Sequence, residues 1–84
     1  MRPGILRLTL FSRKYCHLCD EMEQAIASIR SEHDFHLDVV DVDADPLLEA
    51  RFNELVPLLM HGEQELARWH LDAVALRAWL GEMR

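Results

Sequence analysis

Glycine and proline are scarce in this chain, three of each in 84 residues. That excludes collagen-like repeats and the flexible or proline-rich linkers that separate domains. Cysteine is scarcer still. Two residues cannot build the framework of several disulfides that replaces a core in small secreted domains. Half the residues are hydrophobic, enough for one modest core and too few for a second. Cations are outnumbered, nine Lys and Arg against fifteen Asp and Glu, for a net charge of -6. This balance opposes attraction to phosphate backbones and anionic lipid, so no nucleic acid is expected as a partner. No apolar run approaches the ~20 residues of a membrane helix. Ile5 to Phe11 is short and broken by Arg7 and Thr9, unlike the apolar core of a secretory signal. The expectation is a single domain over 1–84, monomeric, cytoplasmic and without contact to a membrane.

What the chain does have is a concentration of chemistry in Tyr15-Cys16-His17-Leu18-Cys19, which holds both cysteines. Before it, Leu6, Leu8 and Leu10 alternate with Ile5, Arg7, Thr9 and Phe11, the period of a strand over Ile5–Phe11. After it, Met22, Ala25, Ile26 and Ile29 recur at helical spacing. Asp20, Glu21 and Glu23 crowd the first turns and Arg30 lies near the end, which suits the helix dipole. Phe35 to Asp43 reads as a second strand. Asp45-Pro46 supplies a cap and a first helical proline for a short helix burying Leu47, Leu48, Phe52 and Leu55. Val56 to Met60 and Glu65 to His70 form a hairpin about His61-Gly62. Asp72 then caps a last helix with Ala73, Leu76, Leu80 and Met83 along one stripe and Trp79 beside it. The order is βαβαββα. Its opening unit demands a right-handed crossover and a parallel pair, the hairpin adds antiparallel strands, and the apolar strands require helices on both faces of the mixed sheet.

A Cys-x-x-Cys pair between strand and helix can open and close a disulfide without rearranging the fold. Cys16, at the helix start, is the expected attacking thiolate, favoured by unpaired N–H groups, the dipole, and Arg13 and Lys14 upstream. Cys19, one turn inside, is the expected resolving thiol. A protonated His17 would stabilise the Cys16 thiolate; the competing reading is an exposed side chain without a role. His33 and His36 superficially complete a Cys-Cys-His-His zinc set. The intervening helix of ~12 residues spans ~18 Å, whereas zinc ligands lie ~2.0 to 2.3 Å from one ion, so no metal site within the chain is expected. Residue statistics alone favour a trans Val56-Pro57 bond, since only ~5 to 6% of such bonds are cis.

Strand, Tyr15-Cys16-His17-Leu18-Cys19 at a helix start, strand, helix, and Val56-Pro57 before a hairpin and last helix: in this order the chain resembles a glutaredoxin-like member of the thioredoxin superfamily over nearly its whole length. The resemblance implies an α/β thioredoxin-like fold of glutaredoxin type, a four-stranded mixed sheet flanked by helices on both faces. It implies a cis Pro57 beside the cysteines, with the Val56 backbone free to pair with a disulfide-bearing peptide as an added strand. The implied substrate-binding set is Arg13, Tyr15, Val56, Pro57 and Asp72, with Arg13 at the position that meets a glutathione carboxylate and Asp72 either the matching acid or an N-cap. The chain departs from the family pattern in having His17-Leu18 for Pro-Tyr, and Arg68-Trp69-His70-Leu71-Asp72 where a Gly-Gly pair precedes the last helix. Trp69 reads as groove wall or packing residue; Trp79 reads as core. The implied activity is thiol-disulfide exchange through Cys16 and Cys19, without a cofactor. The implied partners are a disulfide-bearing protein or glutathione-like thiol, with a reductase or glutathione as electron donor. The alternatives are a non-catalytic interaction module, or metal or iron-sulfur binding between two chains.

Overall fold

Leu8 and Leu10 are buried on one side of the first strand while Phe11 turns to the other, the alternation that a sheet covered on both faces requires. The computed structural model describes residues 6–83; Ile5, where the first strand is expected to start, lies outside them. Strand β1 (Arg7–Ser12) is followed by helix α1 (His17–Arg30), β2 (His36–Asp41), a single 3-10 turn (Val42–Ala44), α2 (Pro46–Phe52), β3 (Leu58–His61), β4 (Gln64–Arg68) and α3 (Ala73–Glu82). The strands form one sheet in the order β2-β1-β3-β4. β1 pairs parallel with β2 and antiparallel with β3, which pairs antiparallel with β4. The fold is thus the expected α/β thioredoxin-like one, with β2 and β4 at the margins.

Two clusters hold the layers together. Leu8, Leu10 and Leu59 pack with Met22, Ile26 and Ile29 of α1, Phe35, and Leu76 and Leu80 of α3. On the opposite face, Val42, Phe52 and Leu58 pack with Phe11, Leu48, Leu55, Val56 and Met60. Phe11 and Phe52 stack there with ring centroids 4.2 Å apart. The Gly62 backbone, at φ 59, makes the β3–β4 turn in the left-handed region where a missing Cβ removes the steric cost.

Local signals at the caps hold. Asp45 accepts from the Leu47 N–H, Pro46 opens α2, and Asp72 accepts from the Ala75 N–H at 3.1 Å. Four expectations need correction. β2 stops at Asp41 because its carboxylate accepts from the Asp43 N–H at 3.0 Å and turns the chain out of the ladder. Leu47 is 80% exposed, since α2 spans only seven residues and meets the sheet through Phe52. Met83 is exposed past the end of α3. Ser12, one residue beyond the expected strand Ile5–Phe11, is the buried last residue of β1. His33 is half-buried. His36 lies on β2 with its Nε2 3.0 Å from Asp38, to which Arg7 also donates at 2.9 Å. The Arg7 hydrogen bond, with a smaller contribution from His36, holds the Asp38 carboxyl below its ordinary value.

Candidate functional site

β1 delivers the chain to Arg13, and the short connection that follows ends at Cys16, which caps α1 with extended backbone. The Cys16 sulfur accepts from the Cys19 N–H at 3.1 Å, so a sulfur atom does what a hydroxyl or carboxylate oxygen does at most helix starts. Cys16 and Cys19 are joined in a disulfide, with Cα atoms 5.2 Å apart. Their surroundings differ. Cys16 is partly exposed at the helix tip, whereas Cys19 is fully buried on the face of α1 that carries Met22, Ile26 and Ile29.

The Val56–Pro57 peptide bond is cis, as the resemblance implies. Pairing of Phe11 with Leu58 places Pro57 beside the carboxyl end of β1, and so beside the segment that leads to Cys16. Pro57 is buried and Val56 is half-buried. Among the described residues, the Val56 N–H and carbonyl have no backbone hydrogen-bond partner, while the Pro57 carbonyl accepts from the Trp69 N–H at 2.8 Å.

Arg13 is engaged within the chain. Its guanidinium donates to both oxygens of Asp43 at 2.9 and 3.2 Å and to the Asn53 side chain at 2.7 Å, a forked arrangement that fixes geometry as well as charge. The clamp ties the entry to Cys16 to the 3-10 turn and the end of α2. Lys14, Tyr15 and His17 are exposed. Tyr15 projects entirely into solvent from a backbone with φ 56. Asp72 stands at the start of α3 with its carboxylate on the Ala75 N–H. Asp72→Ala is therefore expected to lower stability by about 1 kcal/mol in urea unfolding, and Asp72→Asn, which retains the cap, to leave it nearly unchanged. A rise in KM for a disulfide substrate in the Asn variant alone would reveal a separate ligand role.

Trp69, expected at the end of a strand, sits instead in a three-residue turn. The His70 N–H donates to the Arg68 carbonyl at 2.7 Å, and Trp69 between them has φ 67, the rare and strained sense of such a turn. Its indole N–H donates to the Glu54 carbonyl at 3.1 Å. Trp69, His70 and Leu71 form one wall of a groove of ≈ 220 Å³, and Leu18, Glu21, Met22 and Ala25 of α1 form the other. A second cleft of ≈ 270 Å³, lined by Ser12, Arg13, Lys14, Asp20, Glu23, Val39 and Asp41, lies on the β2 side of the helix start. Sequence reasoning named Trp69 but missed Glu21 and Leu71 as its neighbours, because only the turn at Trp69 brings them together. Tyr15 and Trp69 are the non-glycine residues with positive φ among those described.

Among the described residues no group of three or more His, Cys, Asp or Glu side chains is placed to hold a metal ion. No helix there is long and apolar enough to cross a membrane.

A family model described as a glutaredoxin-like domain (DUF836) matches residues 7–81. An uncharacterized protein of Mycobacterium tuberculosis is 29% identical over 77 residues, covering 86% of this chain and 79% of that protein. Protein Ne2328 of Nitrosomonas europaea superposes with a TM-score of 0.76 at 28% identity, over 95% of this chain and 96% of its own. Protein XcR50 of X. campestris gives 0.72 at 37% identity, over 89% and 96%. A Fasciola hepatica thioredoxin gives 0.62 at 17% identity, over 96% and 83%, a likeness of fold alone.

Proposed function

The chain belongs to the glutaredoxin-like domain family (DUF836), and from that premise we propose that it is a dithiol-disulfide oxidoreductase acting on protein or small-molecule disulfides. One observation carries the reading: a partly exposed cysteine caps a helix and is disulfide-bonded to a buried cysteine one turn later. The reduced pair then has a division of labour. The N–H of Cys19 and the helix dipole stabilise negative charge on Cys16, and Asp20 in the first turn moderates that effect. The Cys16 thiolate attacks one sulfur of the substrate disulfide. The other substrate sulfur leaves as a thiolate and takes a proton from solvent. Cys19 then gives up its proton and attacks the Cys16 sulfur, forming the intramolecular disulfide and releasing the second substrate thiol. The substrate gains two electrons and the cysteine pair loses two. A thiol donor, glutathione or a reductase, restores the dithiol.

The surroundings support this reading. The unpaired Val56 backbone offers a substrate strand one donor and one acceptor. Strained backbone clusters at functional sites, and Tyr15 and Trp69 stand before Cys16 and across the groove from Leu18. With Arg13 held by Asp43 and Asn53, its role is to position the Cys16 approach. Lys14 is the cation left to favour the thiolate, and His17 is exposed beside it. The compartment is proposed to be the reducing cytoplasm, where such a pair turns over.

The test is stoichiometric. The reduced protein, mixed with a peptide disulfide and no other thiol, is expected to release both peptide thiols and to lose both of its own. Alkylation followed by mass measurement counts them. If the peptide disulfide survives while both protein thiols stay free, the proposal fails.

A further inference from the structure

We propose that the groove between Leu18 and Trp69 makes this redox centre selective for disulfides carried on cationic peptide segments, over small anionic disulfides such as oxidised glutathione. The inference rests on the oxidoreductase reading above and concerns the substrate class of the same site.

The groove adjoins the redox centre through Leu18, which lies between the two cysteines and lines it. Its opposite wall is held in place before any ligand arrives. The Trp69 N–H is tied to Pro57 and the indole to Glu54, and the turn at Trp69 spends conformational strain to hold the ring there. The ring remains 46% exposed. A space of ≈ 220 Å³ takes side chains of an extended segment rather than a folded surface. Such a segment pairing with the Val56 backbone would have the groove within reach of its side chains.

Charge decides which segment. Glu21 is the acid that lines the groove; Asp20, before it on α1, lines the other cleft with Lys14, and Glu54 contributes its backbone carbonyl to the indole. Among the described residues none of these three carboxylates has an ion-pair partner. The arginines nearest the centre are already neutralised, Arg13 by Asp43 at 2.9 Å and Arg68 by Glu65 at 2.6 Å. Lys14 stays with Asp20 in that cleft, and His70 is the basic side chain that lines the groove. The groove side therefore presents the unpaired carboxylate of Glu21 to an approaching ligand, on a chain of net charge -6, which accelerates cationic partners and retards anionic ones. Oxidised glutathione, with four carboxylates and two amines, is on the disfavoured side. The chemistry is the same two-electron exchange, with no additional reactant.

The experiment uses the full chain, reduced, and two peptide disulfides identical except that the residues flanking cysteine are Lys in one and Glu in the other. At low ionic strength the Lys peptide is expected to be reduced about tenfold faster or more, with the ratio shrinking as salt screens the field. Glu21→Gln is expected to lower the ratio severalfold, and an unchanged ratio would remove Glu21 as its source. A change in Cys16 reactivity scales both peptides alike, so the ratio isolates docking from thiol chemistry. Equal rates for the two peptides, or faster reduction of oxidised glutathione than of the Lys peptide, would overturn the selectivity while leaving the oxidoreductase reading intact. If neither peptide is reduced, that reading falls, and this inference with it.

Discussion

Replacing Cys16 by serine is expected to lower disulfide reduction by about 10³-fold or more, to the background set by free thiol, because the remaining sulfur cannot reach a substrate. Cys19 is fully buried on the face of α1 that carries Met22, Ile26 and Ile29, and an attack on an external disulfide needs the nucleophile in line with the sulfur–sulfur bond. Cys19→Ser has the opposite phenotype. Cys16 still attacks, nothing resolves the product, and a mixed disulfide accumulates to about one equivalent per chain. Intact mass followed by peptide mapping reads both outcomes. An adduct on Cys19 in the Cys16→Ser protein, at a rate comparable to wild type, would reverse the assigned roles. Absence of any adduct in Cys19→Ser would remove them.

Leu10→Ala is expected to cost about 2 to 5 kcal/mol. Leu10 has no exposure. It stands between Val39 and Leu59 in adjacent strands and packs in the cluster shared by α1 and α3, so the cavity has no mobile neighbour to fill it. A domain of 84 residues has roughly 4 to 13 kcal/mol of stability in total. The variant therefore approaches half-unfolding near ambient temperature at the lower end of that range. Leu47→Ala, on the exposed side of α2, is expected to change stability by less than about 0.5 kcal/mol. Urea unfolding of the two variants separates them, and equal midpoints would contradict the assignment of buried and exposed leucines.

That contrast marks where the sequence is informative. Period-two leucines at 8 and 10, the helical recurrence of Met22, Ile26 and Ile29, and the capping acids Asp45 and Asp72 are local signals. The structure places each in the expected element. Leu47 follows Pro46 in a helix start that reads as amphipathic, but burial depends on which turn of a seven-residue helix reaches the sheet, and that is a tertiary property. The cis bond at Pro57 was accessible through family resemblance and not through residue statistics, which favour trans. The Arg13 clamp joins residues 30 and 40 positions apart, a separation over which no local pattern operates. The turn at Trp69 breaks an otherwise strand-like run through one positive φ, a conformation that tryptophan does not advertise. At the candidate site, the cysteines and Val56-Pro57 were legible, and the groove beside them was not.

The margins of the sheet bear on self-association. An open strand edge is a template on which another copy can add, and charge along it discourages that pairing. Here one outer strand carries His36, Asp38 and Asp41 and the other carries Glu65 and Arg68. The second is also thrown out of regular register by an irregularity between Leu59 and Met60. Copies of this chain that meet edge to edge place acids against acids on β2 and a distorted ladder on β4. Both margins thus resist growth into ribbons at high concentration, while the unpaired Val56 backbone just before β3 meets a foreign strand without those obstacles.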